Sequence, residues 1–125
     1  MKNEILLFEN QDVKLEVNMK DDSVWLTQGQ MAELFNTSRT NIIEHISNIY
    51  SDEELDKNST CQGFRQVRKE GKRTVTRTIP FYNLDMIISV GYRVNSKQGI
   101  IFRKWATSIL KDYMIKGYAV NQKRL

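Results

Sequence analysis

The sequence predicts one α+β domain, and three observations predict it. Val13-Lys14-Leu15-Glu16-Val17-Asn18-Met19 alternates apolar and polar side chains with the period of a half-buried strand. Met31, Leu34 and Phe35, then Ile42, Ile46 and Ile49, form two short apolar stripes at helical spacing on either side of Asn36-Thr37-Ser38. Residues 61–81 mix basic and β-branched side chains around Glu70-Gly71-Lys72, the pattern of a hairpin with its tip near Gly71. A chain of 125 residues can bury one core and leaves little room for a second.

Taken in order, Glu4-Ile5-Leu6-Leu7-Phe8 and the alternating run flank a turn at Asn10-Gln11-Asp12, so residues 4–19 read as a β-hairpin. A second turn at Asp21-Asp22-Ser23 leads into Val24-Trp25-Leu26, a short strand or extended entry. Thr27 caps the first helix, and Gly29 weakens it by up to about 1 kcal/mol relative to Ala. Asn36 tolerates the left-handed conformation that ends a helix, and Ser38 caps the next one, from Arg39 to about Tyr50. Ser51-x-x-Glu54 matches a capping box opening a short acidic helix through about Lys57.

Within the basic hairpin, Thr74, Val75, Thr76, Thr78 and Ile79 favour strand, and Pro80 limits its end to an edge. Asn83 caps a helix with Leu84, Ile87 and Ile88 inward, and Gly91 and Asn95-Ser96 mark a break. A longer helix follows from about Ser96 to Lys116, with Ile101, Trp105, Ile109 and Tyr113 on one stripe and Phe102, Ala106, Leu110 and Met114 widening it. Gly117 is expected to end that helix and leave a frayed tail. The domain therefore divides into a hairpin and lead-in (1–26), a helix-turn-helix (27–50), a basic hairpin (60–81) and a helical pair (83–116). A basic hairpin after a helix-turn-helix makes the predicted fold winged helix-turn-helix-like, with an N-terminal β-hairpin, a β-hairpin wing and two C-terminal helices.

The charge distribution points to a polyanion. Residues 1–60 carry five Lys/Arg and twelve Asp/Glu, a net of −7, whereas residues 61–125 carry fourteen and three, a net of +11. Such asymmetry within one domain implies a face built for an anionic partner. Other classes fall away. A single cysteine, Cys61, excludes an internal disulfide framework, and one His with one Cys cannot supply a zinc-finger ligand set. No stretch approaches the roughly 20 apolar residues of a membrane helix, and the apolar run in residues 1–8 is too short for a signal peptide. The expected compartment is the cytoplasm. No phosphate-binding glycine loop, catalytic cluster, metal site, cofactor or small-molecule ligand is predicted.

The helix-turn-helix supplies the candidate readers. Ala32 is small where two helices must cross closely, and Ile42 packs the second helix back. His45 stands where the motif prefers an apolar residue. With Ile42, Ile46 and Ile49 inward, Thr40, Asn41, Glu44, Ser47 and Asn48 face outward behind Arg39. Arg grips guanine or phosphate, Asn pairs with adenine, and Glu accepts from the cytosine amino group. Arg39, Thr40, Asn41 and Glu44 are the candidate base contacts, because the start of a recognition helix approaches base edges. Ser47 and Asn48 read as a solvated face.

This helix lies in the acidic half, beside Glu33, Glu44 and Asp52-Glu53-Glu54, whereas DNA affinity depends on neutralising phosphates. The remedy is the hairpin. Arg65, Arg68, Lys69, Lys72, Arg73 and Arg77 set six positive charges against Glu70 and, with Ser38, are the candidate phosphate contacts. The competing reading is a charge-protected sheet edge. His45, Cys61, Trp25 and Trp105 read as core or core-edge residues, and Glu53-Glu54 as stabilising a helix start.

Trp25-Leu26-Thr27-Gln28, Met31-Ala32-Glu33-Leu34-Phe35, Phe81-Tyr82-Asn83-Leu84-Asp85, Ile87-Ile88-Ser89-Val90-Gly91-Tyr92-Arg93-Val94 and Phe102-Arg103-Lys104-Trp105-Ala106 resemble the bacterial RhuM-type virulence protein family. The resemblance runs from about residue 4 to 125. It implies the N-terminal domain of a longer protein, found in pathogenicity islands and other mobile DNA, in a family described as candidate DNA-binding proteins. Some members carry death-on-curing-like regions. The His-Pro-Phe pattern and glycine-rich anion loop of the Fic type are absent here, so the resemblance implies a binding module and carries over no catalytic residue. Arg93, Arg103 and Lys104 flank the break between the last two helices and either extend the phosphate-binding face or bind a partner; the structural alternative pairs Arg103 with Asp85 to lock those helices together.

The expected function is double-stranded DNA binding by a regulatory protein. The alternative is a protein-interaction or homodimer module, in which the acidic 52–56 helix meets a basic face on a neighbour. A hydrolase or nuclease finds no convergent acid, base or metal cluster.

Overall fold

The computed structural model describes residues 4–124, with side-chain environments for residues 4–113. It has a mixed α+β architecture. Strands β1 (Glu4–Glu9), β2 (Lys14–Lys20) and β3 (Ser23–Thr27) come first, followed by helices α1 (Gln28–Phe35), α2 (Arg39–Ser51) and α3 (Lys57–Thr60). Strands β4 (Cys61–Glu70) and β5 (Arg73–Asn83) precede helices α4 (Leu84–Arg93) and α5 (Lys97–Arg124). The strands form one antiparallel sheet in the order β1-β2-β3-β5-β4.

Alternation assigns the two faces of the sheet. Phe8, Leu15, Val17, Met19, Val24, Leu26 and Tyr82 point to the helices and join the main core with Met31, Leu34, Ile42, Ile49, Met86, Ile87 and Phe102. Removing each of these large side chains from water contributes about 1.5–3 kcal/mol. On the open face, Trp25, Phe64 and Phe81 form a second cluster, with Phe64 and Phe81 centroids 4.5 Å apart. The ammonium of Lys20 lies 5.0 Å from the Phe64 ring, and the indole of Trp25 donates to the Lys20 carbonyl at 2.8 Å.

Three predicted caps form. Thr27 and Gln30 make a reciprocal capping box, Ser38 Oγ accepts from the Asn41 amide, and Asn83 accepts from the Met86 amide. Asn36 takes the left-handed conformation, φ 52°, between α1 and α2.

Other expectations are corrected. The acidic helix at 51–57 does not form. Ser51 is the last residue of α2, Glu53 is left-handed at φ 57°, and Asp56 caps the short α3. Carboxylates are unfavourable at the negative end of a helix, so Asp52-Glu53-Glu54 ends α2 in a turn. Pro80 does not end β5, which runs on to Asn83. It precedes the three residues paired with β3, where β4 alone flanks it.

Gly91 lies inside α4 and is buried. A Cβ there would meet the Phe35 ring at 3.1 Å and the Gly99 Cα at 3.4 Å, so the two glycines let α4 and α5 cross closely over Phe35. The break comes at Val94–Ser96, with Asn95 left-handed. That crossing turns α5 so that Phe102 and Ala106 are buried, while Ile101 is 45% exposed. Leu84 and Ile88 are half-buried, and the buried face of α4 centres on Met86, Ile87 and Val90. Helix α5 also continues through Gly117 to Arg124, because helix-compatible residues without proline follow and one glycine costs only about 1 kcal/mol. The side chain of Met114 and the terminal Leu125 lie outside the described residues.

Candidate nucleic-acid interface

Only Phe81–Asn83 of β5 pair with β3, whereas the pairing of β5 with β4 continues to Glu70 and Arg73. The hairpin therefore leaves the sheet as a two-stranded ribbon. The aromatic cluster braces its root on the open face. On the other side, the Asn83 amide donates to the Ser59 carbonyl at 3.2 Å, and the Tyr50 and Thr60 hydroxyls hydrogen-bond at 2.9 Å. A Cβ on Gly63 would fall 2.5 Å from the Thr78 methyl, so glycine permits the close approach at this root.

A concavity opens where the ribbon diverges from β3. Its lining includes Gln28 at the start of α1, Arg39 at the start of α2, and Gln66, Arg68, Arg77 and Thr78 on the ribbon. Glu16 is the one carboxylate among its lining residues. Arg39 donates through Nε and Nη2 to Gln28 Oε1, both at 3.3 Å, and Gln28 Nε2 donates to the Tyr82 hydroxyl at 3.2 Å. This chain ties the first turn of α2 to the strand that carries the ribbon. Burial raises the Tyr82 phenol and the adjoining Cys61 thiol above their usual ranges, so both are neutral at pH 7.

Cross-strand register divides the six hairpin cations. Residues directly opposed in an antiparallel pair share a face, so Gln66, Arg68, Glu70, Arg73, Val75 and Arg77 lie towards the concavity. On this face Arg77 bonds Glu70 at 3.0 Å and Arg68 donates to Gln66 at 3.3 Å. Arg65, Val67, Lys69, Thr74, Thr76 and Thr78 lie on the opposite face, all exposed, with Thr78 also lining the concavity near the ribbon's root, and Lys72 stands at the tip.

The predicted site residues are thus only partly brought together. Arg39, Arg68 and Arg77 share the concavity. Thr40 and Glu44 are exposed on α2, whereas Asn41 is half-buried, its Nδ2 donating to Thr37 Oγ1 at 2.8 Å. Ser38 is engaged as the cap of α2. Arg65 and Lys69 do not face Arg39. Gln28, Gln66 and Thr78 were not predicted, and neutral polar side chains at these positions give no sequence signal. His45 is half-buried on α2, Trp25 is buried, and Trp105 packs edge-on to Phe8 at 5.3 Å.

Arg93 bonds Asp52 at 3.0 Å and Glu54 at 3.4 Å, which raises its guanidinium pKa further. It clamps α4 to the turn after α2. Arg103 is exposed and forms no ion pair with Asp85 among the described residues.

A family model described as the virulence protein RhuM family matches residues 59–125. The chain belongs to the RhuM family. The match covers β4, β5, α4 and α5, and leaves the α1–α2 pair outside it. No curated protein and no solved structure matches this RhuM chain. No helix among the described residues is long and apolar enough to cross a membrane.

Proposed function

We propose that this RhuM domain binds double-stranded DNA and acts as a regulatory module in the cytoplasm, of the kind the family's setting in mobile DNA implies. The carrying observation is that Arg39, at the first turn of α2, lines one concavity with Arg68 and Arg77 of the ribbon. The order strand–helix–helix–helix–strand–strand from β3 to β5, with α3 a single short turn and β5 between β3 and β4, supports a winged helix-turn-helix reading. Helix α2 enters the major groove with Thr40 and Glu44 presented and Asn41 at the edge of the turn. The concavity holds the phosphate strand beside that groove. The RhuM domain works by binding, without a catalytic step.

Neutralising four to six phosphates gives a slope of log K against log salt of about −4 to −5. Fluorescence anisotropy with a random-sequence duplex at two salt concentrations measures that slope. No binding at low salt would sink the proposal.

The alternative, docking of an acidic segment on a neighbouring copy, finds fewer free carboxylates than the sequence suggests. Arg93 engages Asp52 and Glu54, and Asp56 caps α3. Salt-sensitive self-association by light scattering, without DNA affinity, would favour it.

A further inference from the structure

Helices α4 and α5 meet at Gly91 and Gly99. Phe35 fills the inner side of that crossing, and a groove of about 400 Å³ runs along its outer side. Ile88 and Tyr92 of α4 line it together with Ile100 and Arg103 of α5, and both glycines belong to the lining. No residue lines both this groove and the concavity that holds Arg39. Tyr92 is 87% exposed and Ile100 55%, with Ile101 beside it. Large apolar side chains gathered on adjoining helix turns mark an interaction surface, as single scattered ones do not.

Spacing describes what the groove fits. Ile88, Tyr92 and Asn95 run out of α4 at i, i+4 and i+7, and Ser96, Ile100 and Arg103 run into α5 at the same interval. Asn95 and Ser96 join the two walls at one end. Each wall is thus a helix face about two turns, or roughly 10 Å, long. An incoming amphipathic helix presents its anchors at that same spacing.

Charge selects the occupant. Arg103 lines the groove, and Lys97 and Lys104 stand exposed on the same helix. None of the three forms an ion pair among the described residues. Asp85 and Asp112, the carboxylates of α4 and α5, do not line the groove. A second copy of this chain fits poorly. Isologous pairing sets a patch against itself, which here opposes one basic flank with another. On the other described helices Ile43 is the one exposed large apolar side chain, so a head-to-tail copy offers no apolar helical stripe.

We propose that the α4–α5 groove binds an amphipathic helix of another polypeptide, one whose apolar stripe is flanked by carboxylates. Tyr92 and Ile100 grip the stripe, and Arg103 meets a carboxylate at its edge. The site uses none of the residues assigned to the duplex, so it stands or falls apart from duplex binding.

A displayed library of helical peptides about 16 residues long tests this on the wild-type chain, with leucines fixed at i, i+4 and i+7 and the flanking positions randomised. Selection is expected to enrich Asp and Glu at the flanks. The most enriched peptide, labelled with fluorescein, should bind at least about fivefold more weakly to Tyr92→Ala and to Ile100→Ala. Arg103→Glu should weaken it about fivefold and should prefer the same peptide with its acidic flanks changed to lysine. All three positions are exposed, and an unchanged thermal midpoint verifies that each variant is folded. No enrichment over a library with scrambled leucines, enrichment of Lys and Arg, or unchanged affinity in Arg103→Glu overturns the proposal. Self-association by light scattering that Ile100→Glu abolishes also overturns it, because the groove then takes a second copy. Loss of duplex binding in Tyr92→Ala, which removes no charge, would assign this face to DNA instead.

Discussion

Arg39 reaches back eleven residues to Gln28, placing its Nε and Nη2 each 3.3 Å from the same amide oxygen. The bond crosses the turn between the two helices and holds the guanidinium at the rim of the concavity. Gln28 adds no charge, so it acts on Arg39 by positioning alone.

Gln28→Ala should therefore weaken duplex binding by about threefold to fivefold, the equivalent of one exposed hydrogen bond, with the salt slope unchanged. Arg39→Ala should reduce the slope by about 0.9, because a phosphate contact itself is lost. Anisotropy over a salt series separates the two. A lower slope for Gln28→Ala would refute the positioning role.

Arg68→Ala with Arg73→Ala should weaken binding to all sequences and flatten the slope by up to about 1.8. Asn41→Ala should relax selectivity at one base position, read by selection from a random duplex pool. Equal weakening of all sequences by Asn41→Ala would instead assign that amide to bracing Thr37.

Gly63→Ala should destabilise the domain by about 1 kcal/mol or more, since the added Cβ would fall 2.5 Å from the Thr78 methyl. Thr78→Ser removes that methyl and should restore most of the loss in the double variant. Urea unfolding of the four chains measures the coupling. Strict additivity would show that the ribbon root relaxes independently of this contact.

Burial raises the ionisations of Cys61, Tyr50 and Tyr82 in the folded chain. The unfolded chain therefore loses these protons first as pH rises through the ordinary values of 9.0 and 10.0. Their contribution to stability is fully present below about pH 9 and declines as pH climbs towards the folded values. Urea midpoints should fall across that alkaline range, and Cys61 should alkylate slowly at pH 7. A flat alkaline profile would contradict this.

Some of this architecture is legible locally and some is not. Thr27, Ser38 and Asn83 are readable as caps because capping depends on residues within one helical turn. Ser51-x-x-Glu54 satisfies the same rule, yet it sits at the carboxyl end of α2, where three successive carboxylates oppose further helix. Gly91 looks like a break because its reason, the Phe35 ring and Gly99, lies on other elements. The cations of the ribbon are plain in the sequence. Their division between two faces needs the register Gln66 to Arg77, which only the folded hairpin fixes.

The ribbon is joined to the sheet as a lever is joined to a fulcrum. Of the eleven residues of β5, Phe81, Tyr82 and Asn83 are fastened to β3, and the rest project with β4. A free arm of eight residues is about 27 Å long, so a swing of about 10° at Phe81 moves its tip by about 5 Å. The gap between Arg39 and the ribbon arginines is thus set mainly by Trp25, Gly63, Phe64, Phe81 and the Asn83–Ser59 bond. Substitutions at these residues should change which groove spacing the domain accepts without touching DNA.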